Sequence, residues 1–541
     1  MKKVLALLLL CACSLLQAQY VGENKLTVNV GAPYKVVDAK LKGYFFLNNN
    51  MLSLKFQKKG IMVQLFDPIS LKQKKFGTLK LPEHASYETL KILNNKLYLF
   101  YSVYNKGAQS EQLFYRIVND ETGGWSGSAK RIITTKGKVR GSYARAAFGF
   151  SVKKVDKFDF YTSANEEKFV VKYHLNPDKR KNSENYDKVG MFVFDKNMKE
   201  EWGEVLKMPY TEKKMDLMDF SVNSEGSIYV VARVYDDHTT KVIKEKSGEK
   251  YTPNYHVELL IKTPSDRVFT KSTITLDNKF TNGVWLYESP NKSMVLAGFY
   301  NTKSRDDVDG IFYGQLSVNG KVDQINTFAI PDEILAQNEH KRVAKKQAKN
   351  NKKGKNNSFG RLKLRNIIFD DDGAVTIVGE QYYVTEHTTT TANGGTTTYT
   401  YHYNDMLVTH INAEGEMEWM RKLAKTQAGS SPKGTMSFKH HSDEDFVYFF
   451  YLDHEDNKDL PDTEAPRGYK SGSAGHLVAY SIEKENGLVQ KDYLLNMKDV
   501  KGIRLYQFTP TKILRISESE FVFEAYKKKK EDVLVKLTLE K

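Results

Sequence analysis

Cysteine is almost missing from this chain: its 541 residues contain two, and both, Cys11 and Cys13, fall within the first 13. The rest of the sequence therefore has neither a disulfide framework nor a cysteine metal site. Long apolar runs are missing too. The longest candidate, residues 4–10, is too short to cross a bilayer. There is no Gly-x-Ser-x-Gly elbow, phosphate-cradling glycine loop, dinucleotide fingerprint or His-Glu-x-x-His pair. Motif-borne catalysis is thereby excluded, and an enzyme here would have to assemble its site from residues far apart in sequence.

The first residues carry a different signal. Met1-Lys-Lys, a short apolar core and Leu16-Gln-Ala-Gln19 have the layout of an export leader spanning 1–19, cut near Ala18 or Gln19. In an alternative reading, Leu10-Cys-Ala-Cys13 resembles a bacterial lipobox, the leader ends at residue 12 and Cys13 receives a lipid. Either way the expected location is outside the cytoplasm: periplasmic, secreted or associated with the outer membrane. Beyond the leader no segment is apolar enough to span a membrane.

Aromatic residues are plentiful, with 32 Tyr and 29 Phe, which suits half-buried strands better than helices. They recur in a pattern of apolar strand, polar turn and a second strand opening near an aromatic. It reads Met191-Phe-Val-Phe-Asp-Lys-Asn-Met-Lys-Glu-Glu-Trp202 and Met406-Leu-Val-Thr-His-Ile-Asn-Ala-Glu-Gly-Glu-Met-Glu-Trp419, with a weaker copy at 112–125. The spacing predicts four strands per unit, for example 364–369, 375–384, 406–411 and 418–423, with Asp370-Asp-Asp-Gly373 as a hairpin turn. Similar units start near Tyr44, Thr89, Phe158, Met218, Val284 and Met436. The last unit has only three strands, 513–516, 521–526 and 533–539, while 25–30 or 34–37 is a spare strand at the other end. One terminus can thus complete the sheet begun by the other, leaving no open edge.

This arrangement resembles a β-propeller: an all-β fold of four-stranded blades, eight by this count with seven as the next choice, filling 20–541 as one domain. Two packed β domains are the rival architecture. A narrower likeness rests on Gly379-Glu-Gln-Tyr-Tyr383, the Thr-rich stretch after it, Tyr403-Asn-Asp405 and 411–419, which look like uncharacterised exported proteins of Bacteroidota. That likeness implies an origin and a compartment, and no activity.

Two insertions interrupt the repeat and are the candidate sites. Residues 341–365 hold 11 Lys or Arg and no acid, so most of the chain's +16 excess sits in one place. Within an insertion spanning 332–363, a helix opening at Pro331-Asp-Glu should give way to a mobile polar loop at 350–358. Its Lys341, Arg342, Lys345, Lys346, Lys349, Lys352, Lys353 and Lys355 could attract anionic polysaccharide, lipid headgroups or an acidic protein partner. Nucleic acid is not expected for an exported protein.

The second insertion, 386–404, should be a protruding hairpin turning at Asn393-Gly-Gly395, with Tyr399, Tyr401 and Tyr403 alternating onto one face. Asp370-Asp-Asp-Gly373, Asp306-Asp-Val-Asp-Gly310 and Asp453-His-Glu-Asp456 lack the complete spacing of a calcium loop. His440-His441 has no matching partner pair. No metal or cofactor is expected. The sequence thus points to an exported, non-enzymatic propeller acting as a binding or scaffolding module at the cell envelope. The alternatives are a propeller enzyme acting on polysaccharide at the central channel and a lipid-anchored subunit of an envelope complex.

Overall fold

The computed structural model describes residues 26–539, apart from 40, 142–156, 180, 238, 240–242, 245–250, 277–278, 304–306, 318–319, 340, 353–356, 392–393 and 462–463. The export leader and Cys13 lie outside the described residues. Among the described residues, eight sheets of four or more strands follow one another along the chain, antiparallel throughout except where Tyr469–Lys470 pairs parallel with Met417–Gly429 in the sixth. The first seven occupy residues 41–79, 86–134, 158–211, 215–274, 280–329, 362–429 and 439–496. In each, the chain enters on the innermost strand and works outward.

The eighth sheet is built from both ends. Leu514–Arg515, Glu520–Lys528 and Glu531–Leu539 supply three strands, and Leu26–Val30 pairs antiparallel with the last of them, from Leu26 opposite Leu539 to Val30 opposite Val535. Tyr34–Lys35 also pairs with that strand, so both candidate N-terminal segments are used. Met51, Phe66 and Leu71 of the first sheet pack on Val522 and Leu534 of the eighth. The molecule is a β-propeller closed by its N-terminal strand.

Apolar residues on successive strands fill the spaces between sheets. Leu206, Met208, Val230 and Ala232, for instance, share one cluster between the third and fourth. Tyr173 and Phe192 stack at 6.0 Å, and Gly190 is where it is because a Cβ there would collide with the Tyr173 ring. Tryptophans on outer strands clamp neighbouring sheets: Trp202 Nε1 donates to Gly226 O at 3.1 Å and Trp419 Nε1 to Lys484 O at 2.7 Å.

The two faces of the ring differ. Antiparallel order puts the links between first and second strands, and between third and fourth, on one face. Most of these are short turns, such as Asn48-Asn49 with φ of 48° and 56°, the left-handed pair a two-residue hairpin needs. The other face receives the second-to-third links and the links between sheets. It carries the longer excursions: 236–254, 330–361, the hairpin within the sixth sheet, 454–475 and 497–513. Both insertions therefore stand on one face.

Candidate functional site

The basic insertion folds further than its composition suggests. It contains two helices, Asp332–Ala336 and Lys341–Lys352, in place of one helix giving way to a loop at 350. Side-chain amides extend its order. Gln347 Nε2 donates to Leu335 O at 3.1 Å, Asn350 Nδ2 to Asn357 Oδ1 at 3.1 Å, and Asn357 Nδ2 to Asp332 Oδ1 at 3.2 Å. Ser358 Oγ donates to Asp309 Oδ1 at 2.6 Å. Phe359–Gly360 pairs with Asp307–Val308, tying the end of the insertion to a loop of the fifth sheet.

Beneath the insertion sits Lys422, on an outer strand of the sixth sheet and 2% exposed. Its ammonium donates to Leu335 O at 3.4 Å, Gln337 O at 2.8 Å and Glu339 Oε1 at 2.6 Å, and lies 3.4 Å from Asp405 Oδ2. A buried cation with four acceptors is expensive to misplace, so Lys422 fixes the insertion on the body. Three residues along the same strand, Lys425 is fully buried and donates to Glu380 Oε1 at 2.9 Å, Tyr403 O at 2.7 Å and Gln427 Oε1 at 3.2 Å. Arg365 Nε and Ser437 Oγ complete Glu380 at 3.0 and 2.9 Å.

The hairpin extends the strands Val375–Thr391 and Gly394–Ile411 far beyond the rest of the sixth sheet. Its three tyrosines share one strand face but differ in exposure along it. Tyr399 is 49% exposed, Tyr401 is half-buried and Tyr403 is 4% exposed. The strand begins pairing with Met417–Gly429 at Tyr401, so by Tyr403 the same face has become interior. There the Tyr403 hydroxyl accepts from Lys433 N at 3.0 Å and its ring lies 4.9 Å from Tyr382.

Of the basic residues expected to act, Lys345 and Lys349 are exposed on the long helix. Lys341, Arg342, Lys346 and Lys352 belong to the same helix, and Lys353 and Lys355 fall outside the described residues. Between this helix and the hairpin base lies a cleft of about 570 Å³. Its walls carry six side-chain amides, Asn338, Gln347, Asn350, Asn357, Gln381 and Asn404, and three carboxylates, Asp307, Glu339 and Asp405. Tyr383, His402, Phe359, Val343 and Thr426 contribute further surface. None of the described lining residues is Lys or Arg. Tyr383 and His402 stack at 4.4 Å, and burial together with Arg361 lowers the His402 pKa, favouring the neutral ring.

The cleft was not legible in the sequence, because its amides come from three separate stretches, 338–357, 381 and 404, with no shared motif. Titratable groups also gather where the inner strands of the third, fourth and fifth sheets meet. Burial raises the Asp219 carboxyl to about 6 although its Oδ2 accepts from Leu286 N at 2.7 Å, and Lys172 lies 3.7 Å from the Phe220 ring centre. His440 and His441 are pushed down to about 4, chiefly by burial. Among the described residues no group of three His, Cys, Asp or Glu side chains is placed to hold a metal ion. No helix among them is long and apolar enough to cross a membrane.

No protein-family model matches the chain, and no curated protein matches it. Solved structures do. The polysaccharide lyase Uly1 is similar over 92% of this chain and 90% of its own, at 7% identity and a TM-score of 0.38. The WD40 domain of SCAP from fission yeast is similar over 97% of both chains, at 9% identity and 0.37. The β-propeller domain of the trilobed protease from Pyrococcus furiosus is similar over 76% of this chain and 90% of its own, at 10% identity and 0.33.

Proposed function

We propose that this chain is an exported, non-enzymatic propeller that binds envelope material on its long-loop face, with the basic helix drawing anionic polymers or headgroups towards it. One observation carries the reading: the two segments the repeat does not need stand on the same face and frame one cleft. Clustered cations raise the local potential and hasten the capture of a polyanion, most strongly at low ionic strength. The scaffold supports such a role because two buried cations of the sixth sheet, Lys422 and Lys425, hold the insertion and the hairpin base to the body.

The test uses the double charge reversal Lys345→Glu/Lys349→Glu, which touches two exposed side chains. Binding to polygalacturonate and to anionic phospholipid vesicles at low salt should fall by about tenfold or more, since each reversed charge turns a salt-sensitive attraction into a repulsion. The thermal transition should stay in place. Equal binding by variant and wild type would refute the role of the helix.

A further inference from the structure

The cleft beside the basic helix is not itself built for an anion. Its described lining holds three carboxylates and six amides, whereas the nearby cation Lys422 lies buried behind the wall and is engaged by Glu339, Asp405 and two backbone carbonyls. A phosphate, sulfate or uronate entering the cleft would shed water and meet acidic oxygens with no free counter-charge among the described lining residues. Desolvation without compensation of that kind is strongly unfavourable, as it is for any buried charge left without a partner.

The same wall lacks a donor at one identifiable point. Gln347 Nε2 donates to Leu335 O, which fixes the orientation of the amide, and Gln347 Oε1 is then buried with no donor from the protein. A buried acceptor left unsatisfied is unfavourable; Gln347 Oε1 has no accessible surface as it stands, so a ligand's neutral donor satisfies it by drawing the half-buried side chain towards the cleft. Amide and carboxylate oxygens in numbers, one neutral imidazole, a threonine hydroxyl and aromatic edges together suit a ligand that presents many hydroxyl donors and acceptors without charge. The volume of about 570 Å³ lies within the range of small-ligand sites.

We infer that the cleft between the 341–352 helix and the base of the hairpin is a binding site for a neutral, hydroxyl-rich glycan, with Gln347 Oε1 accepting from a sugar hydroxyl. The inference rests on the long-loop face being the binding face, and it divides the labour there. The helix acts at long range on charge, and the cleft selects by hydrogen bonds at short range. Hydrogen bonds between neutral groups are barely screened, so binding in the cleft should ignore salt while capture by the helix does not.

Titration calorimetry of the full chain against neutral gluco-, manno-, galacto- and N-acetylhexosamine oligomers, with matched uronate oligomers beside them, tests this. At least one neutral oligomer should bind, with affinity changing less than about twofold between low and high salt. Gln347→Leu and, separately, Thr426→Val should each weaken it by about five- to tenfold, the loss of one buried hydrogen bond. Lys345→Glu/Lys349→Glu should leave it unchanged, so that failure of the helix and failure of the cleft are read apart. Absence of binding to every neutral oligomer, tighter binding of the uronates, or wild-type affinity in both cleft variants would each overturn the inference.

Discussion

Replacing Glu524 by glutamine should loosen the closure of the ring. Glu524 lies on the eighth sheet with its side chain 4% exposed, and it accepts from Lys55 Nζ at 2.5 Å, Tyr34 and Tyr44 hydroxyls at 2.7 Å each, and Lys42 Nζ at 3.2 Å. These donors come from the N-terminal segment and the first sheet, so one carboxylate joins both ends of the chain. Opposite charges hold its pKa down at about 2 against the burial that opposes them. In Glu524→Gln the shape survives but the charge does not. Lys55, with a side chain 0% exposed, keeps only Asp532 at 3.4 Å. Removing one partner of a buried ion pair costs about 3–5 kcal/mol, and the lower end applies because Asp532 remains. The assay is guanidinium unfolding followed by tyrosine and tryptophan fluorescence, with the midpoint read at constant slope. The double variant Lys55→Met/Glu524→Met should recover much of the loss, since an apolar pair carries no stranded charge. A shift of less than about 1 kcal/mol for Glu524→Gln, the scale of an exposed pair, would refute the reasoning.

Two further outcomes follow from buried groups elsewhere. Glu88, 5% exposed and hydrogen-bonded with Ser102 at 2.5 Å, has its carboxyl raised by burial from 4.5 to about 8. The folded state therefore holds that proton more tightly, and the stability it confers is full below pH 4.5 and lost as pH rises through 8. The unfolding free energy of Glu88→Gln should consequently fall less than that of the wild type between about pH 5 and 9, by about 4 kcal/mol for the roughly three units between pH 5 and 8 at about 1.4 kcal/mol each, read by denaturant unfolding across pH; parallel profiles would count against it. Gly190→Ala should cost about 1–3 kcal/mol in chemical denaturation, because the added methyl meets the buried Tyr173 ring, and a neutral result would mean that the ring has room to move.

The strands were legible because their alternation and turn residues are local. The strands expected at 364–369 and 418–423 are found within Leu362–Phe369 and Met417–Gly429. The closing strand was legible too, since a three-strand remainder at one end and a spare strand at the other have one economical solution. What sequence could not convey is partnership across sheets. Lys422 and Lys425 sit in a stretch, Met420-Arg-Lys-Leu-Ala-Lys425, whose polar positions read as solvated, yet both are buried against groups from up to 87 residues away. The exposure of the three tyrosines was hidden for a similar reason. Alternation assigns residues to a face, but whether that face is open at Tyr399 and closed at Tyr403 depends on where the neighbouring strand begins. The ordering of 341–352 depends on Gln347 and Asn350 finding partners that composition alone does not reveal.

The shared eighth sheet sets an order in time. Leu26–Val30 is made early, and the strand it pairs with, Glu531–Leu539, is made after every other strand described. Until that strand is free of the ribosome, the first sheet and the seventh each present a flank with nothing against it. The opening segment must therefore wait, extended and unpaired, while the other seven sheets are synthesised. A chain that loses Glu531–Leu539 should persist as an open arc, with Leu26–Val30 and one edge of Glu520–Lys528 both left without their partner strand.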